Sequence, residues 1–479
     1  MCARDCVAQH ALDEAIQGTH ALGVKQVHFT SIDEVYAFVM GFVNVEKGQA
    51  TEFKLDRMRW MAERLDNPHL GRVTVHVAGS KGKGSVATLI ARAIQASGTR
   101  TGLYTSPHIL SWKERMTEAG DEIPDEIILS AAEEVFALTA GKRPDDFPGS
   151  ELPTYFELTT LIAFCAFRRA DFRAQVIEVG LGGRLDSTNI VASDVAAITP
   201  IELEHTQFLG STIPLIAGEK AGIIKPRVPV CALQPKIEAL EVIQARATAL
   251  HAPLYVVGKD VSLRDILVNL EGTAVTLQAT NLSSRGDSAA LQRLFGGTTL
   301  KVSTDLVGSV YAGNMALATL ALAQVPLNIR AEHILRGFRS TRIPARFEII
   351  ARSPLLVLDG AHTPESIRGV LTTFLELAPG PRHLLFACAH DKRHEEMARL
   401  LAPHFEEITV TRPGSFKQSD PIAVFQSFST LKAECALVEN TKMAIERAAR
   451  IAREERASLL VTGSFYLCAE FKKWKSGSE

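Results

Sequence analysis

Short apolar runs alternate with longer helical patterns in two blocks of the chain. In the first block VTVHVAG (73–79) reads as a buried strand, and 84–97 sets Val86, Leu89, Ile90 and Ile94 on one helical face. TGLYTS (101–106) follows as a strand, FELTTLIAFCAF (156–167) as a helix, and AQVIEVG (174–180) and VAAITP (195–200) as strands. PLYVVG, AVTLQAT and TTLKVS, within 253–303, predict antiparallel strands with polar turns, a small β-rich insertion better read as surface decoration than as a regulatory element. NMALATLALAQV (314–325) reads as a helix. In the second block, strands at 355–359, 383–389, 407–411 and 458–463 alternate with helices near 365–377, 393–402 and 440–454. Such alternation predicts an α/β protein with two doubly wound sheets, the second smaller.

The pattern divides into a weakly patterned N-terminal extension (1–30), a larger domain (31–335) carrying the insertion, and a C-terminal Rossmann-like domain (336–479). A length of 479 residues is too great for one compact core. The net charge of −2 argues against a protein that works by neutralising nucleic-acid phosphates. No apolar run reaches the 18 residues of a membrane span, and Arg4, Asp5, Asp13 and Glu14 break up any signal-peptide core. The seven cysteines form no CxxC pair, and five sit in apolar runs, which suits reduced, buried thiols in the cytoplasm. A metal site at Cys2 and Cys6 lacks a second pair of ligands.

The most informative stretch is VHVAGSKGKGS (75–85). A buried strand runs through Gly79, Ser80, Lys81 and Gly82 to Lys83, Gly84 and Ser85, which opens a helix. Glycines let the backbone curl so that N–H groups face phosphate oxygens, and the helix N-terminus adds a favourable dipole. Lys83 is placed to reach terminal phosphates and Ser85 to touch Mg²⁺. The spacing is not that of the common Walker A string, and a ligand-free glycine turn is the competing reading.

With that loop in view, the sequence resembles the folylpolyglutamate synthase and dihydrofolate synthase family, a branch of the Mur-ligase superfamily. The likeness continues through YTSPHI (104–109), ERM (114–116), TYFELTT (154–160), EVGLGGRLDSTN (178–189), EHTQFLG (204–210) and IAGEKAGIIK (216–225). It resumes at PARFE (344–348), DGAHTP (359–364), HDK (390–392) and TGSFY (462–466), in the family's order. The resemblance implies a P-loop-containing, Mur-ligase-type central domain with a C-terminal domain closing the active site. It also implies an ATP-dependent ligase that adds L-glutamate to a pteroate or folate carboxylate through an acyl phosphate.

The resemblance assigns Mg²⁺ contacts to Ser106, Glu178 and His205, and two Mg²⁺ sites are expected. Lys220 matches a lysine that carries CO₂ as a carbamate, which converts a cation into an oxygen ligand. ATP contacts fall on Asn314, Arg346 and Asp359, in addition to the loop; His362 is either a site residue or a local cap. Dihydropteroate or reduced folate falls on Lys54, Leu55, Asp56, Arg57, Thr154 and Asp186, positions that point to dihydrofolate synthase activity as well. A monomer is expected, with small-molecule substrates only.

Simpler readings stand beside these. Glu178 can pair with Arg184, Asp56 and Arg57 can be a helix-surface ion pair, and Glu219–Lys220 can be an ordinary charged helix face. His205 can be structural, and Ser106 can start a turn. Four positions depart from the family pattern: Ser80-Lys81 replaces Thr-Asn, Glu204 replaces Asp, Thr363 replaces Asn, and Lys54 replaces Gly. None removes a phosphate or metal group, so they bear on substrate choice. The alternatives are a Mur-type ligase for another carboxylate and a non-catalytic nucleotide-binding relative. A peptidoglycan-type ligase fits poorly, because about 70 residues before the loop are too few for a UDP-sugar domain. A non-catalytic nucleotide-binding relative predicts loss of Lys83, Glu178, His205 or Lys220, and all four are present.

Overall fold

A computed structural model describes residues 28–43, 55–234, 236–280, 294–295, 299–414, 418–432 and 434–477. Cys2, Cys6 and Lys54 lie outside the described residues. The chain forms two compact units, one holding residues up to Arg264, Thr276–Val302 and Gly313–Ser340, the other Asp265–Val275, Ser303–Ala312 and Thr341 onward.

The sheet of the first unit contains β1 (Val73–Ala78), β2 (Thr101–Tyr104), β3 (Met116–Glu118), β4 (Asp121–Glu122), β5 (Ala174–Glu178), β6 (Val195–Ile198), β7 (Val230–Ala232) and β8 (Leu254–Val256). Their order is β4-β3-β2-β5-β1-β6-β7-β8. The six strands from β2 to β8 run parallel, and β3 and β4 extend that edge antiparallel. Val75 and Val77 on β1 and Val176 and Ile177 on β5 are fully buried, as a sheet covered on both faces requires.

Its helices are α1 (Ile32–Met40), α2 (Asp56–Arg64), α3 (Lys83–Ala96), α4 (Asp125–Thr139), α5 (Tyr155–Arg169), α6 (Thr206–Leu209), α7 (Ile213–Ala221), α8 (Ile237–Ala249), α9 (Val310–Gln324) and α10 (Ala331–Ser340). One core joins Met58 and Met61 of α2, Ile128 and Val135 of α4, and the apolar residues of α5 to Tyr104 and Ile177. A second joins α7 and α8 to Ala78, Ile198 and Val230. α10 packs on α3 closely enough that a Cβ on Gly337 would stand 2.5 Å from the Ala93 backbone.

The insertion expected at 253–303 is corrected at its start: PLYVVG supplies β8, the parallel edge strand of the large sheet. The separate sheet has three strands, β9 (Val261–Asn269), β10 (Gly272–Ala279) and β11 (Thr299–Thr304), in the order β11-β10-β9. The division between units falls within these strands.

The second unit's sheet has β12 (Glu348–Arg352), β13 (Leu355–Leu358), β14 (Arg382–Phe386), β15 (Glu407–Val410), β16 (Cys435–Leu437) and β17 (Ser458–Thr462) in the order β12-β13-β17-β14-β15-β16. Only β12 is antiparallel to its neighbour. Between and after the strands lie α11 (Pro364–Leu377), α12 (His394–Leu401), α13 (Pro421–Ser429), α14 (Thr441–Glu454) and α15 (Phe465–Ser476). Leu384, Phe386, Ile408 and Val410 form its core with Phe374, Leu401 and Phe428. The five described cysteines are free, and four are buried. No helix among the described residues is long and apolar enough to cross a membrane.

Two buried histidines, His69 and His76, and the half-buried His108 give the first unit an acid limit. Burial, followed by the charges of Arg72, Lys225 and Arg115 respectively, depresses His69 to about 4, His76 to about 3 and His108 to about 4. The unfolded chain takes up these protons near pH 6.5, whereas the folded chain refuses them until far lower pH. Their contribution is therefore complete above about pH 6.5 and falls as pH drops toward 4. Calorimetric unfolding midpoints should decline across that window; a level midpoint would refute the assignment.

Candidate active site

The candidate residues of the first unit gather beyond the C-terminal ends of β2, β5, β1 and β6, the edge where parallel sheets take their ligands. After β1 the chain turns through Gly79 at φ +143° and Gly82 at φ +84°. A Cβ on Gly79 would fall 1.8 Å from Thr199 Oγ1, so only glycine fits there. The amides of Ser80 and Lys81 both donate to Pro200 O, at 2.9 and 3.3 Å. The Ser80 hydroxyl donates to Glu202 O and accepts from Glu202 N, at 3.2 and 3.0 Å. These two residues thus tie the loop to the segment after β6. The amides of Lys83, Gly84 and Ser85 lie in the first turn of α3, where intrahelical partners do not exist, and can face an anion.

Three polar groups close on that turn. Glu178, the last residue of β5, accepts from Ser106 N at 2.9 Å, and its Oε2 lies 3.3 Å from a Cβ placed on Gly84. Arg184, the partner considered for Glu178, is bonded to Glu219 at 2.9 Å. Asn314, on α9, is buried, and its Oδ1 stands 2.9 Å from a Cβ placed on Gly82. Asn314 Oδ1 and Thr199 Oγ1 are buried with no hydrogen-bond partner among the described residues. Orphaned buried acceptors beside a phosphate-type loop fit a polar ligand.

Lys220 is not on a charged surface: its side chain is 2% exposed. Its Nζ donates to Gly79 O at 2.8 Å and to Glu204 Oε1 at 2.9 Å. Burial and the nearby Lys83 charge pull the amine down to about 8, against the opposing pull of Glu204. Burial pushes the Glu204 carboxyl up, but Lys220 and Lys83 outweigh it and hold it below the ordinary carboxylate value. Glu204, beside His205, is thus the carboxylate that meets this amine. His205 itself is exposed, in the left-handed region at φ +46°, and starts the short α6. Ser85 is buried at the head of α3. Hydroxyls, a carboxylate and an imidazole are a donor set that suits Mg²⁺, the hydroxyls and carboxylate most of all.

A second group forms around α5. Thr154 caps this helix, accepting from Glu157 N at 3.2 Å, while Glu157 Oε2 accepts from Thr154 N at 2.8 Å. The same Oε2 accepts from Arg57 Nε at 2.9 Å, and Arg57 Nη1 reaches Glu151 Oε2 at 3.2 Å. Arg57 is thus buried and tied to α5, whereas exposed Asp56 pairs with Arg59 at 3.5 Å; the surface pair considered for Asp56 and Arg57 does not form. Leu55 is buried just before α2. Breaking such a buried ion pair by removing one partner costs about 3–5 kcal/mol. Glu157, which joins Arg57 to Thr154, was not singled out by the sequence, where it reads as one more helix residue.

Asp186 is buried, accepting from Leu181 N at 2.8 Å and from Thr188 N at 3.0 Å, and from the Thr188 hydroxyl. Burial raises its carboxyl despite these bonds. Because the Thr188 hydroxyl donates to Asp186, it accepts from His76 Nε2, at 2.9 Å. The carboxylate therefore shapes its own loop.

In the second unit, Arg346 is exposed between Ala345 at φ +51° and Phe347 at φ +47°. Two non-glycine residues in that region hold backbone strain. Buried Asp359 fixes the turn by accepting from Phe347 N at 2.7 Å and Ala361 N at 2.8 Å. The Arg346 guanidinium lies 4.6 Å from the Phe465 ring centre. Burial raises the Asp359 carboxyl, against the pull of Arg346. His362 Nδ1 bonds Gly360 O at 2.8 Å, and Thr363, not His362, caps α11.

Comparison with known proteins gives first the class. Residues 345–465 match the Mur ligase, glutamate ligase domain family. The dihydrofolate synthase/folylpolyglutamate synthase of Bacillus subtilis is 32% identical over 359 residues, 72% of this chain and 78% of that one. A probable bifunctional folylpolyglutamate synthase/dihydropteroate synthase of Haloferax volcanii is 32% identical over 416 residues, 87% of this chain. The match takes in 47% of that longer relative, so the chain spans about half its length. The folylpolyglutamate synthase of Thermotoga maritima superposes with a TM-score of 0.79 at 26% identity, over 94% of this chain and 97% of that one. The Escherichia coli enzyme in complex with DHPP and ADP gives 0.77 at 25%, over 93% and 98%. The chain belongs to the folylpolyglutamate synthase/dihydrofolate synthase family.

Proposed function

We propose that this chain is an ATP-dependent ligase that adds L-glutamate to the carboxylate of a reduced folate, and of dihydropteroate as well. The observation that carries the reading is the phosphate-type loop with Glu178 and the Lys220–Glu204 pair against it. The ligands named for the E. coli structure, DHPP and ADP, support this substrate pairing.

A carboxylate does not react with an amine until one oxygen becomes a leaving group. Transfer of the γ-phosphoryl group of ATP to that oxygen gives ADP and an acyl phosphate. The glutamate amine then attacks the acyl carbon, and phosphate leaves. Such transfer depends on positioning and on neutralising charge rather than on a protein nucleophile. Lys83 and the first amides of α3 receive the phosphates, and Gly79, Ser80, Lys81, Gly82 and Gly84 shape the loop around them. Asn314 offers its unpaired oxygen to the nucleotide. Mg²⁺, when bound, supplies charge neutralisation; Ser85, Ser106, Glu178 and His205 would hold it, with Lys220 as a carbamate at a second site.

Carbamate formation needs a neutral amine, and a buried lysine titrating at about 8 has an appreciable neutral fraction at neutral pH. The amine adds to CO₂ and releases one proton, leaving an anionic oxygen donor. In the second unit Arg346 is the exposed cation offered to a phosphate, held by a turn that Asp359 sets. Arg57 and Thr154, joined through Glu157, mark the pteroyl site, with Leu55, Asp56 and the Asp186 loop. One chain supplies every residue assigned, and a monomer is proposed. The free cysteines suit a reducing compartment, here the cytoplasm.

Phosphate release from ATP, with Mg²⁺, glutamate and either dihydropteroate or tetrahydrofolate, tests the reading. Both substrates should support release, with glutamylated products seen by mass spectrometry. Release with tetrahydrofolate alone removes the dihydrofolate synthase part; release with neither rejects the substrate.

A further inference from the structure

The second unit carries a cluster that ligase chemistry does not use. His383 on β14 and Glu407 on β15 are direct register partners in adjacent parallel strands, so their side chains leave the same face of the sheet. Glu455 is the C-cap of α14, which packs on that part of the sheet. One ligand atom from each of the three lies within 4.8 Å of the other two.

Two further observations point to a cation. His383 is 3% exposed, and its Nε2 is buried with no hydrogen bond among the described residues, although Glu455 Oε2 is 3.0 Å away. The contact is close, but its angles are not those of a hydrogen bond. Glu455 places a carboxylate at the negative end of a helix, an arrangement that repels anions and favours a cation. Among the described residues, Arg447 is the positive side chain paired with the cluster, bonded to Glu407 Oε1 at 2.6 Å, which leaves Glu407 Oε2 for another partner.

One imidazole nitrogen and two carboxylate oxygens form a donor set suited to Zn²⁺, with bonds of about 2.0–2.2 Å. Softer thiolates are missing from the set and all-oxygen coordination is broken by the imidazole, so Mg²⁺ and Ca²⁺ fit less well. We propose that His383, Glu407 and Glu455 form a zinc site that pins the starts of β14 and β15 to the end of α14. Water fills the fourth position. Closing the three ligands around the ion needs movement mainly of Glu455, the most exposed of them, at 53%.

Calorimetric titration of Zn²⁺ into the full chain tests this, after chelator treatment, under reducing conditions, and with excess Mg²⁺ to fill hard-oxygen sites. The wild type should bind one equivalent at least about tenfold more tightly than Glu455→Gln, and zinc should raise the unfolding midpoint of the wild type only. Glu455 is a surface residue, so this variant keeps the fold; His383→Gln provides the buried counterpart. Equal isotherms and equal midpoints in wild type and Glu455→Gln would overturn the site and leave a simple His383–Glu455 ion pair. Tight binding retained in both variants would do the same, since the zinc would then be held elsewhere.

Discussion

Replacing Lys83 by alanine should reduce ATP-dependent phosphate release by at least about a thousandfold. The ammonium at this position is the cation at the head of α3, and it sits close enough to lower both Lys220 and Glu204 electrostatically. Charge on the transferred phosphoryl group grows as the bond to ADP loosens, and a lost preorganised cation or donor costs about 10²–10³ for a single weak contact and more for a full charge. Folding should be little affected, because no buried partner is orphaned by the truncation in the way that a Lys220 change would orphan Glu204. The measurement is steady-state phosphate release with circular dichroism as a fold control. Near-normal turnover in a folded Lys83→Ala protein would remove the loop from the reaction.

Lys220→Ala should be nearly as damaging, at least about a hundredfold in turnover. Its special feature is the way it fails. A carbamate supplies an anionic oxygen, so added acetate should restore part of the rate by occupying the vacated space. If Lys220 acts only as the ammonium that bridges Gly79 O and Glu204, acetate should do nothing. A rate that is flat across the acetate series, from a protein that still binds ATP, would count against the modification and favour the purely ionic role.

The large-scale plan of this protein was legible because strands such as 73–78 and 174–178 are short runs built on Val, Ile and Ala, buried along nearly their whole length, that end at loop residues. The error at PLYVVG has a clear physical source. The crossover helix before it, Ile237–Ala249, buries only Ala239, Ile243 and Ala247, a face too small to announce a helix. Without that helix, Leu254–Val256 had no route to a parallel position and was assigned to the insertion. The site was legible where a residue type is unusual for its surroundings, as with the glycines of the loop. It was not legible where chemistry depends on burial. Lys220 sits next to Glu219 in an ordinary charged pattern, and only the fold turns one inward and the other toward Arg184. Asn314 was placed by family likeness, but its unpaired oxygen at Gly82 is a fact of packing.

Glu157 has a consequence for how this sequence can drift. A single oxygen, Oε2, serves both the amide of Thr154 and the guanidinium of Arg57. Aspartate would pull that oxygen back by about one bond length, ~1.5 Å, and would lose both contacts together. Glutamine would keep the shape yet leave the buried guanidinium with Glu151, at 3.2 Å, as its remaining counter-charge. Arg57 and the neighbouring pair Thr154 and Glu157, 100 residues on from Arg57 at Glu157, are therefore bound into one inheritable unit, in which a change at any one lowers the tolerance of the other two. Relatives that recognise a different carboxylate should be expected to have exchanged the three as a set.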